Sequence, residues 1–321
     1  MTVQIELSFV IPVFNGSSTI GPLVERIHEL FADLDFEVVL VNDGSPDDSE
    51  QACQRIAAAH ASTVSFVQLA RNFGEHNAVL AGLNFSAGAA VAILDDDGQN
   101  PVEEVRRLYD HLRQGSYDVV YGNYRTKHHS WFRNLGSAFN DRVATHLLGK
   151  PRDLYLSSFK VMNRFLADEI TQYRGAFPYV DGLILRVTRN LAQIDVEHRE
   201  RAHGESNYSP LKLFMLWLNM FLNFSIKPLR ISALLGIVTS LLSLVLLGLI
   251  IIDKIFINPN VTIGLPTVLV IITLFAGVQL VILGAIGEYL GRLFLDHSGS
   301  PQFVVRYVRE REELPDRDPP R

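Results

Sequence analysis

The chain predicts an α/β protein, a mostly parallel sheet with helices on both faces, followed by interfacial helices and a C-terminal two-helix transmembrane hairpin. Three observations carry this reading. Apolar runs of strand length, rich in β-branched residues, recur with helix-spaced segments between them, the signature of strands buried on both faces. Each run is followed by a short polar loop rich in Gly, Asp and Asn. From Leu211 to Gly287 the composition turns strongly apolar.

Taken in order, strands are expected at "LSFVIPV" from Leu7, "FEVVLV" from Phe36, "VSFVQL" from Val64, "AVAIL" from Ala90 and "YDVVYG" from Tyr117. Helical spacing of apolar residues covers Ile20 to Leu34 and Val102 to Leu112. Ligands of such sheets bind beyond the carboxyl ends of the strands. "PVFNG", "NDGSPDD", "ARNFGEH", "DDDGQN" and "GNYR" should therefore share one rim. Neither GxGxxG after the first strand nor GxxxxGK[ST] is present, which argues against a dinucleotide fold or a P-loop.

Ile231 to Ile252 is about 22 uncharged residues, enough for the roughly 20 that cross a bilayer. Val261 to Gly287 is a second such run, and the short link "DKIFINPN" makes the pair an antiparallel hairpin with both flanks on one side. Arg199, Arg201, Lys212, Lys227 and Arg230 precede the first span, Arg292 and Arg306 follow the second, and the link holds only Lys254. Basic flanks are retained in the cytoplasm, so the globular part and the C-terminus should be cytoplasmic and the chain multi-pass in the inner (plasma) membrane. The expected division is a globular domain over 1–207, an interfacial amphipathic region over 208–230, two spans over 231–290 and a tail over 291–321. Lys227 and Arg230 would sit at phosphate depth, as snorkelling anchors or as substrate contacts.

The net charge of −6 argues against a nucleic-acid partner. The single cysteine, Cys53, excludes an internal disulfide framework and a cysteine zinc site. The N-terminus has no basic region leading into an apolar run, so no cleavable signal is expected.

The stretch "VAILDDDGQNP" ends an apolar run in three carboxylates. If the strand continues through them, Asp95 and Asp97 point one way and Asp96 the other. Two carboxylates with the amide of Gln99 form a hard oxygen set suited to Mg²⁺ or Mn²⁺. Asn100 reads as a helix N-cap, with Pro101 at the first helical position and Glu103 and Glu104 in the first turn. On these residues alone a solvated acidic turn before a capped helix is equally open.

"IPVFN", "VNDGSPDDS", "RNFGEHNAVLAG", "DDDGQNP", "GNYR" and "GEYLGR", in this order and with the anchor, resemble the polyprenyl-phosphate glycosyltransferases of glycosyltransferase family 2. The resemblance implies a GT-A fold, a nucleotide-sugar donor (a UDP-sugar among bacterial relatives), a divalent cation (Mg or Mn) and a polyprenyl phosphate acceptor. It further implies an inverting transfer that makes a lipid-linked sugar for the cell envelope, and homo-oligomers that hand the product to a flippase or another glycosyltransferase. Carried over, Asp95, Asp97 and Gln99 match the metal and diphosphate motif. Pro12, Asp43 and Ser45 match nucleobase and ribose contacts, and Arg71 and Asn72 a further donor loop. Arg125, Arg133 and Ser137 match phosphate-holding positions, and Arg201 the arginine of a loop beside the membrane. With Asp97, the arginines Arg125, Arg133 and Arg201 form the expected catalytic set. The chain departs from the pattern at Gly16, Asn42, Ser157, Ser158 and Asn207, where relatives carry other residues. A processive polysaccharide synthase is disfavoured because Trp131 and Trp217 follow Ser130 and Leu216 rather than a QxxR run. An inactive membrane scaffold is disfavoured by the intact Asp95, Asp97 and Gln99.

Overall fold

A computed structural model of the chain describes residues 5–124, 150–151, 154–175, 178–196, 227–252, 255–256, 264–299 and 301–312. These divide into two compact units, residues 1–209 with 301–321, and residues 210–300.

The first unit is built on an eight-stranded sheet. Its strands are β1 (Leu7–Val13), β2 (Phe36–Asn42), β3 (Val64–Leu69), β4 (Ala90–Ile93), β5 (Val119–Tyr124), β6 (Lys160–Asn163), β7 (Leu191–Val196) and β8 (Val305–Arg309). Their spatial order is β7-β5-β6-β4-β1-β2-β3-β8. β1 pairs in parallel with β2 and β4, β2 with β3, and β5 with β7. β6 runs antiparallel to β4 and β5, and β8 antiparallel to β3. Two reversals about β6 return β5 to the direction of β4, so the carboxyl ends of β1 to β5 form one rim.

The expected apolar runs became strands because both of their faces are buried. Leu7, Phe9, Ile11 and Val13 enter one core with α1 (Ile20–Leu30), α2 (Ser49–Ala59) and α4 (Val102–Gly115). Val10, Val39, Val41 and Val67 enter the other with α3 (Glu75–Asn84), α5 (Arg164–Thr171) and α6 (Val180–Val187). In α1 the buried positions Ile20, Leu23, Val24 and Ile27 follow the helical period. Each such side chain contributes about 1.5–3 kcal/mol on full burial.

Three strands escaped the sequence pattern. β6 and β7 lack a long apolar run, and β8 is a half-exposed edge strand inside what reads as a charged tail. Pairing with a sheet that is already formed stabilises them, and intrinsic β preference has little part in it. A second correction concerns α4. Its N-cap is Pro101 and no side chain caps it. Asn100 is buried at 2% exposure and accepts a hydrogen bond from the Tyr124 hydroxyl. Glu103 and Glu104 do occupy the first turn.

β8 is tied down along its length. The Ala70 N–H donates to Val304 O at 2.8 Å and the Arg306 guanidinium donates to Ala70 O at 2.9 Å. The Tyr307 hydroxyl donates to Glu50 at 2.8 Å, and its ring meets Phe66 edge-on. Arg311 pairs at 3.2 Å with the buried Glu37.

The second unit contains α7 (Lys227–Ile252) and α8 (Leu265–His297). The helices touch: a Cβ on Gly236 would lie 3.6 Å from Ile282 Cδ1. Large apolar side chains such as Leu234, Leu241, Leu280 and Leu290 are exposed. Among the described residues one helical stretch, Leu274–Leu295, is long and apolar enough to cross a membrane, and α7 carries a shorter one, Ser232–Ser243. Leu274–Leu295 overlaps the expected second span over 274–287, and residues 261–263 of the expected span lie outside the described residues. Most of the expected interfacial region lies outside the described residues.

Candidate active site

The four loops after β1 to β4 interlock at the rim. Leu94 N–H still donates to Val10 O, but the strand ends there and the chain turns through Asp96 and Asp97. The β4–β6 register pairs Ile93 with Lys160, so continuing it sets Asp95 opposite Ser158. The Ser158 hydroxyl donates to Asp95 Oδ2 at 2.6 Å. Asp96 turns toward β1, where its Oδ2 accepts the Phe14 N–H at 2.9 Å. Asp97 Oδ1 accepts the Gln99 N–H at 3.0 Å across Gly98, whose φ of 74° a side chain would resist. Asp95 and Asp96 therefore diverge, and the turn rather than a continued strand sets where Asp97 lies.

Asp95, Asp96 and Asp97 are half-buried. Burial lifts Asp95 above the usual carboxylate range, and the neighbouring Asp97 adds to the shift. Burial and its two acidic neighbours push Asp96 up to about 7, against the pull of the Phe14 N–H. Among the described residues no three His, Cys, Asp or Glu side chains converge into a metal cage. The donor set nonetheless fits a hard divalent ion of the kind that completes its shell with phosphate oxygens and water. Two carboxylates and one amide suffice for such an ion, and its charge would offset the crowding of anions.

Gly16, a position where the chain departs from the pattern it resembles, has a structural reason. A Cβ there would stand 2.3 Å from Asp96 Oδ2. Asp96, the middle carboxylate of the DDD turn, fills the space that a side chain at position 16 would take. Asn42, a second position where the chain departs from that pattern, is fully buried and its amide donates to Gln68 Oε1 at 2.8 Å. A carboxylate in that place would be an unpaired buried charge.

The expected donor residues divide. Ser45 lies at the rim, where its hydroxyl donates to Asn42 Oδ1 at 2.5 Å and accepts the Asn15 N–H at 3.2 Å. Arg71 and Asn72 are exposed beside it, with the Arg71 guanidinium 4.4 Å from the Phe73 ring centre. Pro12 is a buried residue of β1, and the exposed positions at that strand's end are Phe14 and Asn15. Asp43 is 3% exposed and accepts the Phe73 N–H at 2.7 Å and the Gly74 N–H at 2.8 Å. Burial raises its carboxyl while these two donors draw it back. Asp43 therefore staples the β3–α3 loop against the β2–α2 loop. Gly44 completes the staple: its φ is +62°, and a Cβ would meet the Arg71 carbonyl carbon at 2.4 Å and the Asn72 nitrogen at 2.6 Å. Gly44→Ala is expected to cost about 2 kcal/mol or more, from left-handed strain plus a backbone clash, and a lowered thermal midpoint would register it.

Arg125, Arg133, Ser137 and Arg201 lie outside the described residues. So do His198 and His203, whose spacing suits no metal site. His76 lies in the first turn of α3, and its ring meets Tyr179 edge-on at 5.0 Å.

A buried polar cluster beside Asp95 went unread in the sequence. Lys160, 3% exposed, donates to Asp181 Oδ1, which also accepts the Tyr121 hydroxyl at 3.1 Å. Glu75, at the start of α3, keeps an exposed edge, yet the loss of solvent around it and the charge of Asp95 push its carboxyl up to about 7. The available signal was a lysine inside the apolar run "FKVM".

The family model described as "Glycosyl transferase family 2" matches residues 8–171. The undecaprenyl-phosphate 4-deoxy-4-formamido-L-arabinose transferase of Proteus mirabilis (strain HI4320) is 32% identical over 306 residues, covering 94% of this chain and 94% of that one. The transferase of the same name from Pseudomonas savastanoi pv. phaseolicola (strain 1448A / Race 6) is 33% identical over 312 residues, covering 96% and 92%. Among solved structures, glucosyl-3-phosphoglycerate synthase from Mycobacterium tuberculosis in complex with uridine-diphosphate is similar at 21% identity and a TM-score of 0.50, over 66% of this chain and 76% of that one. That likeness shows the fold, a GT-A α/β sheet.

Proposed function

Given that the chain belongs to glycosyl transferase family 2 and is a glycosyltransferase, we propose that it moves a sugar from a nucleotide diphosphate donor, a UDP-sugar, to undecaprenyl phosphate with inversion. The product is a lipid-linked sugar for cell-envelope glycan or for lipid A or O-antigen modification. The observation that carries the acceptor is the span of the similarity. Relatives named as undecaprenyl-phosphate transferases match 94% of the chain, the apolar helices included.

The chemistry follows from charge. A phosphate monoester has a second pKa near 6, so a lipid phosphate is already an anionic nucleophile at neutral pH and requires no dedicated base. The obstacle is its repulsion from the donor diphosphate. Asp95, Asp97 and Gln99 would hold a divalent ion, Mg²⁺ or Mn²⁺, which when bound supplies Lewis-acid neutralisation of the leaving diphosphate. Ser158 keeps Asp95 oriented. Arg71 and Asn72 line the donor side, on a loop fixed by Asp43. Arg133 and Arg201 would grip the acceptor phosphate through their planar guanidinium forks, with Arg125 and Ser137 nearer the donor.

Connectivity supports the two-helix anchor. The chain leaves the sheet after β7, passes through α7 and α8, and returns as β8 hydrogen-bonded to β3. A segment that starts and ends in one sheet crosses a bilayer an even number of times. If Leu274–Leu295 is one crossing, α7 supplies the other. The basic flanks then hold the sheet in the cytoplasm, with a flippase or a further glycosyltransferase as the consumer of the product.

The test is transfer from a panel of labelled UDP- and GDP-sugars to undecaprenyl phosphate by the full chain in detergent. Expected are transfer from a UDP-sugar, its loss on chelation and its return with Mn²⁺ or Mg²⁺. No transfer from any donor, with metal-dependent nucleotide binding also missing, would favour a scaffold role.

A further inference from the structure

We propose that Asp181 is a positioning residue: it sequesters the Lys160 ammonium on the far side of β6 and so leaves the Asp95 carboxylate open to a divalent cation. This inference rests on reading Asp95 as a cation-holding group.

The register defines the problem. β6 lies between β4 and β5, and Lys160 faces Ile93 on one side and Tyr121 on the other. Asp95 lies two residues beyond Ile93, on the same face of the sheet. It is thus a diagonal neighbour of Lys160, at the roughly 7–8 Å that long side chains span between adjacent strands. A flexible four-carbon stem could carry the ammonium to Asp95 as readily as anywhere else. Lys160 is 3% exposed, so its charge must be paired. A lysine resting on Asp95 would occupy the place where the cation belongs.

The structure resolves this in favour of β5. The Lys160 Nζ lies 5.2 Å from the centre of the Tyr121 ring and donates to Asp181 Oδ1, on α6. The Tyr121 hydroxyl donates to the same Asp181 oxygen at 3.1 Å, so that oxygen is held by two donors. The remaining polar groups around the cluster come from α3 and from the start of α6. Glu75 is a further carboxyl there, while His76 and Tyr179 pack ring on ring. Asp181 and Tyr121 together hold the ammonium on the β5 side, from where its charge still reaches Asp95, whose side-chain partners are the neutral groups of Ser158 and Asn100.

The consequence has a distinctive sign. Asp181→Asn removes the anion but leaves the lysine, which then turns to Asp95 and competes with the metal. Lys160→Met removes the competitor, so adding it to Asp181→Asn restores the site. A purely structural role for the pair predicts instead that the single removals lower the thermal midpoint while the Mn²⁺ affinity of the folded protein stays unchanged in all three variants.

The experiment is Mn²⁺ titration of the full-length protein in detergent, with free Mn²⁺ read by electron paramagnetic resonance and thermal midpoints recorded alongside. Asp181→Asn is expected to raise the Mn²⁺ Kd by about 10- to 100-fold, the range for losing an outer-shell partner. The double variant with Lys160→Met is expected to return to within about threefold of wild type, well inside that range. Lys160→Met alone should bind Mn²⁺ at least as tightly as wild type. Wild-type binding with an unchanged Asp181→Asn Kd overturns the inference alone. Absence of binding in the wild type overturns the cation reading and this inference with it. If Asp181→Asn does not fold, the other two variants decide: weaker Mn²⁺ binding by either one overturns the proposal.

Discussion

Replacing Asp97 with alanine is expected to lower kcat/KM for sugar transfer by about a thousandfold, a loss of roughly 4 kcal/mol of transition-state stabilisation. The fold should survive. Asp97 accepts the Gln99 N–H within its own turn, and such a bond contributes about 1 kcal/mol. Its proposed catalytic share is far larger because it acts on charge that develops in the transition state. The measurement is transfer by purified variant and wild type at saturating lipid, with thermal midpoints to confirm folding. Near-normal transfer by a folded Asp97→Ala protein would remove the carboxylate pair from the mechanism. Asp96→Asn is the informative comparison, since Asp96 serves the Phe14 backbone and should cost much less.

Truncation after Ser300 is the second large effect. It removes β8 and with it three kinds of support. The edge of β3 loses its partner strand. Glu37, 2% exposed, loses the Arg311 guanidinium, and breaking a buried pair costs about 3–5 kcal/mol. Ala70 loses both of its hydrogen bonds to the C-terminal segment, at about 1 kcal/mol each. Together these reach the 5–15 kcal/mol that is the whole stability of a typical domain, so a large fall in thermal midpoint is expected. Ala70 directly precedes Arg71 and Asn72, so protein that still folds should also show a raised KM for the nucleotide sugar. An unchanged midpoint would mean that β8 is a passive edge.

The comparison between chain and structure turns on burial. Leu7–Val13 and Phe36–Asn42 were legible because strands covered on both faces must be apolar throughout, and few other structures need that pattern. β8 was not legible. Its alternation of Val and Arg reads as a charged tail until β3 offers it a ladder to join. The rim loops could be listed in advance from strand polarity alone, and the acidic turn stood out as charge at the end of an apolar run. The direction taken by each acid could not be listed, because it depends on Phe14 N–H and Ser158, which are remote in sequence. Asp43 illustrates the limit: its motif suggests a ligand contact, while its burial makes it a staple between two loops.

What the amino-acid order determined by itself was periodicity, which follows from local geometry: an α/β sheet, a polar rim at the strand ends and a long apolar C-terminal segment. Tertiary structure alone decided which charges meet. Asp95 beside Ser158, Asp96 in the space left by Gly16, and Lys160 turned toward Asp181 all join residues far apart in the chain. Electrostatic pairing depends on distance and on the exclusion of water, and both exist only after the sheet has closed around them.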